Sequence, residues 1–188
     1  MARILVPLAQ GCEELEAVTI IDLLRRARLE VVSAGLDAGP ITASRGTRLL
    51  PDLTLDEALK QDYDMIVLPG GLPGADHLDR DPRIRQALAR TAENGGYIAA
   101  ICAAPKVLVN AGMLSGHRAT SFPGALDGLW TDDIALSDDP VVIDGRIITS
   151  RGPGTAIDFT LALIELLVGE EIRDRVEESL QRPAAHRG

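Results

Sequence analysis

Short apolar segments alternate with amphipathic segments along most of this 188-residue chain. Uniformly apolar runs of strand length are typical of strands buried on both faces of a sheet. Such runs predict strands at residues 3–8, 30–34, 65–68, 96–101, 118–121 and 146–150. Apolar positions at helical spacing predict helices at residues 13–28, 81–94, 105–111, 155–168 and 170–180. This alternation predicts an α/β fold, with a mostly parallel sheet and helices on both of its faces.

Two pairs of short strands interrupt the alternation. Residues 41–43 and 48–50 flank a polar turn and predict a small hairpin. Residues 141–143 and 146–148 flank Asp144-Gly145, a dipeptide that is typical of tight hairpin turns. The chain contains no internal repeat or linker. We therefore predict one domain over residues 1–188, with a frayed tail at residues 181–188.

Composition and charge narrow the class of protein. Hydrophobic residues make up 46% of the chain and charged residues 25%, which supports a sizeable core and argues against disorder. Two cysteines do not make the disulfide framework of a secreted protein, and the apolar run at residues 3–8 lacks the form of a signal peptide. No apolar segment reaches membrane-spanning length. A net charge of −9 without a basic tract argues against a nucleic-acid partner. We expect a cytoplasmic protein.

Cys102 stands where the predicted strand at residues 96–101 meets a predicted helix. A tight strand-to-helix turn is the position that presents an exposed nucleophile in many hydrolases. The helix N-terminus favours a thiolate over a thiol, and the small residues Ala103 and Ala104 leave room for a substrate. The alternative is a buried cysteine that acts as a small hydrophobic residue. The local sequence supports the two interpretations equally.

Glu16 is the strongest candidate for a partner of Cys102. In the predicted helix at residues 13–28, it lies on the apolar stripe that faces the core. Such a carboxyl group should be desolvated, which raises its pKa, and its protonated form could donate a hydrogen bond to a thiolate. The alternative is that the three glutamates, Glu13, Glu14 and Glu16, only complement the positive end of the helix dipole. We prefer this interpretation for Glu14. Glu13 also faces the core, but its place in the first turn could serve to tie down backbone groups.

A glycine-rich turn, Pro69-Gly70-Gly71, follows another predicted strand. Glycine allows the backbone to approach a ligand closely, so the Gly71 N–H could bind an oxyanion beside Cys102. A generic loop would have the same sequence. The segment Arg151-Gly152-Pro153-Gly154 is either a rim loop or a helix entry.

Histidine is the expected general base for a cysteine nucleophile. Of the three histidines, His186 is in the predicted tail, His117 is at the opposite rim of the predicted sheet, and His77 is on an exposed helix. The sequence therefore identifies no Cys-His pair. No spacing of cysteine, histidine and carboxylate residues resembles a metal-ligand set, so we expect no metal.

Four collinear segments together resemble the ThiJ/PfpI superfamily, specifically the branch of the parkinsonism-associated cysteine protein and its bacterial YajL-like relatives. The segments are Gly11-Cys12-Glu13-Glu14-Leu15-Glu16-Ala17-Val18, Val67-Leu68-Pro69-Gly70-Gly71, Ala99-Ala100-Ile101-Cys102-Ala103-Ala104-Pro105 and Thr149-Ser150-Arg151-Gly152-Pro153-Gly154-Thr155-Ala156-Ile157-Asp158-Phe159. The resemblance implies a flavodoxin-like three-layer sandwich, like that of class I glutamine amidotransferases, and a homodimer.

The resemblance also implies roles for particular residues. Cys102 would be the oxidisable nucleophile and Glu16 its protonated partner, and the backbone of Gly71 and Ala103 would form the anion pocket. Residues implied near the anion site or the dimer contact are Glu13, Gly70, Arg26, Arg45, Gly152 and Pro153, with Arg26 reaching toward the partner's site.

Three positions depart from the pattern of the superfamily. Many members carry His-Pro where this chain has Phe122-Pro123, which places the chain in the YajL-like branch and leaves its base unidentified. The protease-like branch has histidine directly after the cysteine, where this chain has Ala103, so peptidase activity is not expected. Cys12 stands where relatives often have alanine or serine; it is either a resolving thiol or a plain small residue.

The resemblance implies a cysteine enzyme of carbonyl and oxidative stress defence, similar to deglycases and glyoxalase III, that requires no cofactor. Its substrates would be reactive dicarbonyls such as methylglyoxal, or their early adducts with protein or nucleotide amines and thiols. The alternative is a redox-sensing stress chaperone in which Cys102 is oxidised to a sulfinic acid without significant turnover. Both hypotheses require a reactive Cys102, so turnover distinguishes them.

Overall fold

A seven-stranded sheet forms the centre of the computed structural model, which describes residues 1–183. The strands, in chain order, are β1 (Arg3–Leu8), β2 (Glu30–Gly35), β3 (Ile41–Thr42), β4 (Arg48–Leu49), β5 (Leu53–Thr54), β6 (Met65–Leu68), β7 (Tyr97–Ile101), β8 (Arg118–Ala119), β9 (Ala135–Leu136), β10 (Val141–Asp144) and β11 (Ile147–Ser150). The order across the sheet is β10-β11-β7-β6-β1-β2-β5. Neighbours run parallel except at the edge, where β10 is antiparallel to β11.

Helices cover both faces of the sheet. They are α1 (Glu14–Arg26), α2 (Leu55–Ala58), α3 (Gly74–Arg80), α4 (Pro82–Glu93), α5 (Pro105–Asn110), α6 (Ala156–Val168) and α7 (Glu170–Ser179). α1, α6 and α7 pack together over one face, while α2 to α5 contribute to the core on the other. The predicted three-layer, mostly parallel flavodoxin-like fold is therefore confirmed. Within residues 1–183, no helix is both long and apolar enough to cross a membrane.

Local sequence explains where the main elements begin. All four residues of β6 are buried, as its unbroken apolar sequence predicts. The helix α4 starts after Asp81, whose carboxylate accepts the Arg83 N–H at 2.9 Å, and Pro82 occupies its first turn. The helix α1 buries the same stripe that the sequence assigns to the core, including Glu16. This stripe lies against α6 and delivers Glu16 to the carboxyl edge of the sheet.

The two hairpins form where predicted, since β3 pairs antiparallel with β4 and β10 with β11. The strand predicted at residues 118–121 is wrong in extent and place. Only Arg118–Ala119 is a strand, and it pairs in parallel with β9 in a separate two-stranded sheet. Of the tail predicted to fray, Arg182 is held by ion pairs with Asp158 at 2.7 Å and Glu177 at 3.0 Å, while residues 184–188 lie outside the described part of the chain.

Candidate active site

Cys102 lies directly after β7 in a left-handed backbone conformation, with φ of +64°. This conformation is costly for a residue with a side chain. Two hydrogen bonds hold it in place: the Cys102 N–H donates to the Ser150 carbonyl, and the Cys102 carbonyl accepts from the Phe122 N–H, both at 2.9 Å. The residue is 8% exposed. A strained turn thus presents a largely buried thiol at the carboxyl edge of the sheet.

Two glycines allow the loop after β6 to approach this turn. A Cβ atom on Gly70 would lie 2.7 Å from the Cys102 Cβ and 2.9 Å from the Ala103 nitrogen. Gly71 has φ of +88°, and a Cβ there would lie 2.3 Å from the Glu13 nitrogen. The Glu13 N–H donates to the Gly70 carbonyl at 2.9 Å. The loop is therefore clamped between Cys102 and the start of α1.

The Glu16 side chain is completely buried next to Cys102. Its Oε2 accepts the Gly70 N–H at 2.8 Å. Its Oε1 has no hydrogen-bond partner among the residues that the structure describes. Burial raises the pKa of Glu16 to about 7, against the opposing effect of the Gly70 N–H. The carboxyl group therefore keeps its proton to much higher pH than an exposed glutamate.

The thiol of Cys102 is subject to opposing influences. Burial is the largest, and together with the Glu16 carboxylate it raises the pKa of Cys102 to about 12. The N–H groups of Gly71 and Ala103 act in the other direction. This desolvation opposes the thiolate that a helix N-terminus alone would favour, and α5, the helix that follows Cys102, has only six residues. Acidity of this sulfur therefore depends on whether Glu16 carries a charge.

Glu14 holds the β3–β4 turn through hydrogen bonds, a role that the sequence did not indicate. Its carboxylate accepts the N–H groups of Arg45 at 3.0 Å and Thr47 at 3.3 Å, and the Ser44 hydroxyl lies 3.0 Å away. Burial opposes ionisation, but these hydrogen bonds and the one from its own N–H lower the pKa of Glu14 to about 2. Glu13 also lies within 2.8 Å of the Ser44 hydroxyl. Both glutamates thus fix the turn between β3 and β4 to the start of α1.

The other residues singled out from the sequence are not all brought to Cys102. Arg26 lies ten residues beyond Glu16, or about 15 Å along α1, and pairs with Asp22 at 2.7 Å. Arg45 is exposed on the β3–β4 turn. Their predicted places near a partner subunit stay predictions.

Gly152 and Pro153 follow β11, whose last residue, Ser150, accepts the Cys102 N–H. A Cβ atom on Gly152 would lie 3.2 Å from Cδ2 of Phe122, so the aromatic ring packs on this glycine. From the sequence, Phe122 stood out only as the residue in place of the histidine of many superfamily members. Its position after the short strand β8 gave no signal of the contact with Gly152.

Among the described residues, Cys102 is bonded to no histidine and no group of side chains could hold a metal ion. Within residues 1–183, no hydrogen bond joins Cys102 to a histidine; the His117 Nδ1 lies 3.2 Å from Asp144, His77 is in α3, and His186 lies outside this range. The described residues contain no cluster of histidine, cysteine and carboxylate groups that could hold a metal ion. Cys12 is completely buried and is a free thiol, and burial raises its pKa to about 12.

Gly71→Ala should lower the unfolding free energy by about 3 kcal/mol, because it adds a clash to a left-handed backbone position. The matched control is Gly46→Ala, since Gly46 has φ of +94° but no atom within 4 Å of an added Cβ. It should cost only about 1 kcal/mol. Chemical denaturation of both variants measures the difference, and equal losses would contradict the clamped loop.

A sequence model of the DJ-1/PfpI family matches residues 2–166. The Parkinson disease protein 7 homolog of Danio rerio is 43% identical over 95% of this chain and 96% of its own length. The "Glutathione-independent glyoxalase DJR-1.2" of Caenorhabditis elegans is 38% identical over 90% of both. The chain spans only 39% of the Arabidopsis thaliana Protein DJ-1 homolog B, with 45% identity.

Solved structures agree with these sequence matches. The crystal structure of Drosophila melanogaster DJ-1beta superposes with a TM-score of 0.92 and 40% identity, covering 97% of this chain and 98% of that one. A Toxoplasma gondii DJ-1, described as oxidized, superposes with a TM-score of 0.90 and 37% identity, covering 96% of this chain and 98% of that one.

Proposed function

The chain belongs to the DJ-1/PfpI family, and we propose on this basis that it is a cysteine enzyme that converts reactive dicarbonyls without a cofactor. Cys102 is the nucleophile and Glu16 its proton donor and acceptor. One observation carries the proposal: a completely buried carboxyl group, with one unpartnered oxygen among the described residues, lies against the thiol. A relative named as a glyoxalase supports the reaction class.

The pair Glu16 and Cys102 loses its first proton near pH 7, the value to which burial raises the pKa of Glu16. The resulting negative charge can reside on either group. On Glu16, the charge has two donors, the Gly70 N–H and the weakly donating Cys102 S–H. On Cys102, the charge has the N–H groups of Gly71 and Ala103, and a Glu16 that keeps its proton would donate its O–H as a third bond. Two N–H groups and a carboxyl O–H solvate a buried charge better than one N–H and a weak S–H donor, and on this ground we assign the charge to sulfur and the proton to Glu16.

The reaction with methylglyoxal follows from this arrangement. The sulfur adds to the aldehyde carbon, and the carbonyl oxygen takes the proton of Glu16, which gives a hemithioacetal. Glu16 then removes the proton from that carbon and delivers it to the neighbouring carbon, while the hydroxyl proton of the first carbon passes to the oxygen of the second. The first carbon is thereby oxidised to a thioester as the second is reduced to an alcohol. Water cleaves the resulting thioester, which releases lactate and restores the thiolate. The N–H groups of Gly71 and Ala103 hold the oxyanions that form on the way.

The same addition would open early adducts of dicarbonyls with amines and thiols, since the adduct releases aldehyde to Cys102. We propose this deglycase activity as part of the same function, exerted by a homodimer. The two free thiols fit a reducing compartment such as the cytoplasm.

Lactate formation from methylglyoxal tests the proposal directly. Purified protein, with no added thiol, should form lactate in proportion to the enzyme concentration. An enantiomerically enriched product would exclude spontaneous conversion, because an uncatalysed rearrangement gives both enantiomers equally. Protein that alkylates readily at Cys102 but forms no lactate would contradict an enzymatic function.

A redox sensor is the second candidate, and the relative described as oxidized favours it. A sulfinate on Cys102 would use the same N–H groups of Gly71 and Ala103 and the Glu16 O–H. Mild peroxide should then add about 32 Da, two oxygen atoms, to Cys102 and leave Cys12 unchanged. This product in a protein without measurable turnover would favour the sensor.

A further inference from the structure

We propose that Phe122 forms an apolar wall beside Cys102 and makes the site prefer carbonyl substrates with a large apolar or aromatic substituent over small ones. This inference rests on the proposed dicarbonyl function and names the substrate class of that same site. The observation behind it is that the aromatic ring of Phe122 is half exposed instead of buried in the hydrophobic core.

Backbone contacts fix Phe122 relative to the nucleophile. The Phe122 N–H donates to the carbonyl of Cys102 at 2.9 Å, and the Cys102 N–H donates to the carbonyl of Ser150 at 2.9 Å. Gly152 follows Ser150 by two residues. The three segments around Phe122, Cys102 and Gly152 are therefore tied together at one edge of the sheet.

The ring of Phe122 rests on Gly152. A Cβ atom on Gly152 would lie 3.2 Å from Cδ2 and 3.8 Å from Cε2 of the ring. The backbone of Gly152 is extended, with φ of 169°, so any residue could adopt its conformation. The missing side chain therefore matters for space, because it lets the ring lie against the backbone.

Half of the Phe122 surface is nevertheless open to solvent. Phe122 is 48% exposed, whereas Phe159, the other phenylalanine of the chain, is completely buried. Gly152 supports the ring on one side, and the backbone of Phe122 is bonded to that of Cys102 at this edge of the sheet. The nearest charged neighbour along the chain on this rim, Arg151, pairs with Asp138. About half of this apolar residue is thus open to solvent, and the neighbouring Arg151 is engaged elsewhere.

An aldehyde that has added to Cys102 must place its substituent beside the turn, because Cys102 itself is only 8% exposed. A phenyl substituent that reaches the ring gains buried apolar area and an aromatic contact, which a methyl group cannot provide. Differences of this kind change kcat/KM by about 10-fold to 100-fold. We therefore expect phenylglyoxal, which would give mandelate, to be preferred over methylglyoxal.

The test compares the ratio of kcat/KM for phenylglyoxal to that for methylglyoxal in four proteins: wild type, Phe122→Ala, Phe122→Tyr and Trp130→Ala. Removal of the ring should lower the ratio by about 10-fold, and Phe122→Tyr should restore it. Trp130 is a matched exposed aromatic residue, 74% exposed, whose removal should leave the ratio unchanged. An unchanged ratio in Phe122→Ala, or an equal fall in Trp130→Ala, would overturn the proposal.

A second readout needs no turnover. The rates at which N-benzylmaleimide and N-methylmaleimide alkylate Cys102 are measured by mass spectrometry and normalised to their rates with glutathione. The normalised benzyl preference should be about 10-fold in the wild type and should be lost in Phe122→Ala. If neither dicarbonyl is converted but this preference holds, the enzymatic function fails and the apolar wall stands. If both dicarbonyls are converted without a preference that depends on Phe122, the wall fails alone.

Discussion

Cys102→Ser should lower the rate of lactate formation from methylglyoxal by about 10³-fold or more. A serine hydroxyl at this position would have to ionise beside the buried Glu16, and its far higher pKa leaves almost no alkoxide at neutral pH. The oxyanion donors of Gly71 and Ala103 would still bind the aldehyde. The loss should therefore fall on kcat more than on KM.

Cys12→Ala is the matched control for this substitution. Cys12 is completely buried, and burial raises its pKa to about 12. Alanine shortens the side chain without adding a polar atom to the core. Activity should stay within about 3-fold of the wild type if the variant remains folded, as melting curves would show. A similar loss in both variants would contradict the assignment of Cys102 as the only nucleophile.

Glu16→Gln should change the pH dependence of folding stability by about 3 kcal/mol. The pKa of Glu16 is about 7 in the folded protein and 4.5 in the unfolded chain. Between these two pH values, the folded pair of Glu16 and Cys102 therefore holds one more proton than the same two residues in the unfolded chain. The wild type has the full contribution below pH 4.5 and loses it as the pH rises through about 7. This count is independent of whether sulfur or carboxyl holds the remaining proton, since both arrangements bind the same number.

The measurement is the unfolding free energy of wild type and Glu16→Gln from chemical denaturation at pH 5 and at pH 8. Relative to the wild type, the variant should gain about 3 kcal/mol over this range, because glutamine has no proton to lose. Glu14→Gln is the control on the same helix. Hydrogen bonds hold the pKa of Glu14 near 2, so it stays ionised and its substitution should have the same effect at both pH values. A pH-independent difference for Glu16→Gln would contradict a raised pKa.

The strands of the central sheet could be predicted from the sequence because they are buried on both faces. An unbroken apolar run such as Met65–Leu68 has few alternatives to a central strand. The strand β9 was not predictable in the same way, since both of its residues are exposed. The helix α2 carried a signal that pattern analysis by itself overlooked: Thr54 and Glu57 form a reciprocal capping box at its start.

The candidate site was predictable in outline, because a turn after a strand and a glutamate on an apolar stripe converge at one edge of a parallel sheet. The free energy of ionising Cys102 could not be predicted from the sequence. Desolvation of Cys102 opposes the thiolate, and only the three-dimensional packing reveals it. Contacts between segments that are distant in the sequence could not be predicted either. Examples are the hydrogen bond from the Gly70 N–H to Glu16 and the packing of the Phe122 ring on Gly152.

The central claim is that the first proton lost by the pair leaves Cys102 ionised and Glu16 protonated. The rate of Cys102 alkylation by iodoacetamide, followed by mass spectrometry from pH 5 to pH 10, tests it most directly. Since the coupled pair loses its first proton near pH 7 and the account places the resulting charge on sulfur, reactivity should rise with a midpoint near that pH, below the value of about 8.5 for a free thiol. A midpoint above about pH 9 would contradict the account, because it would leave the charge on the carboxylate and the proton on sulfur.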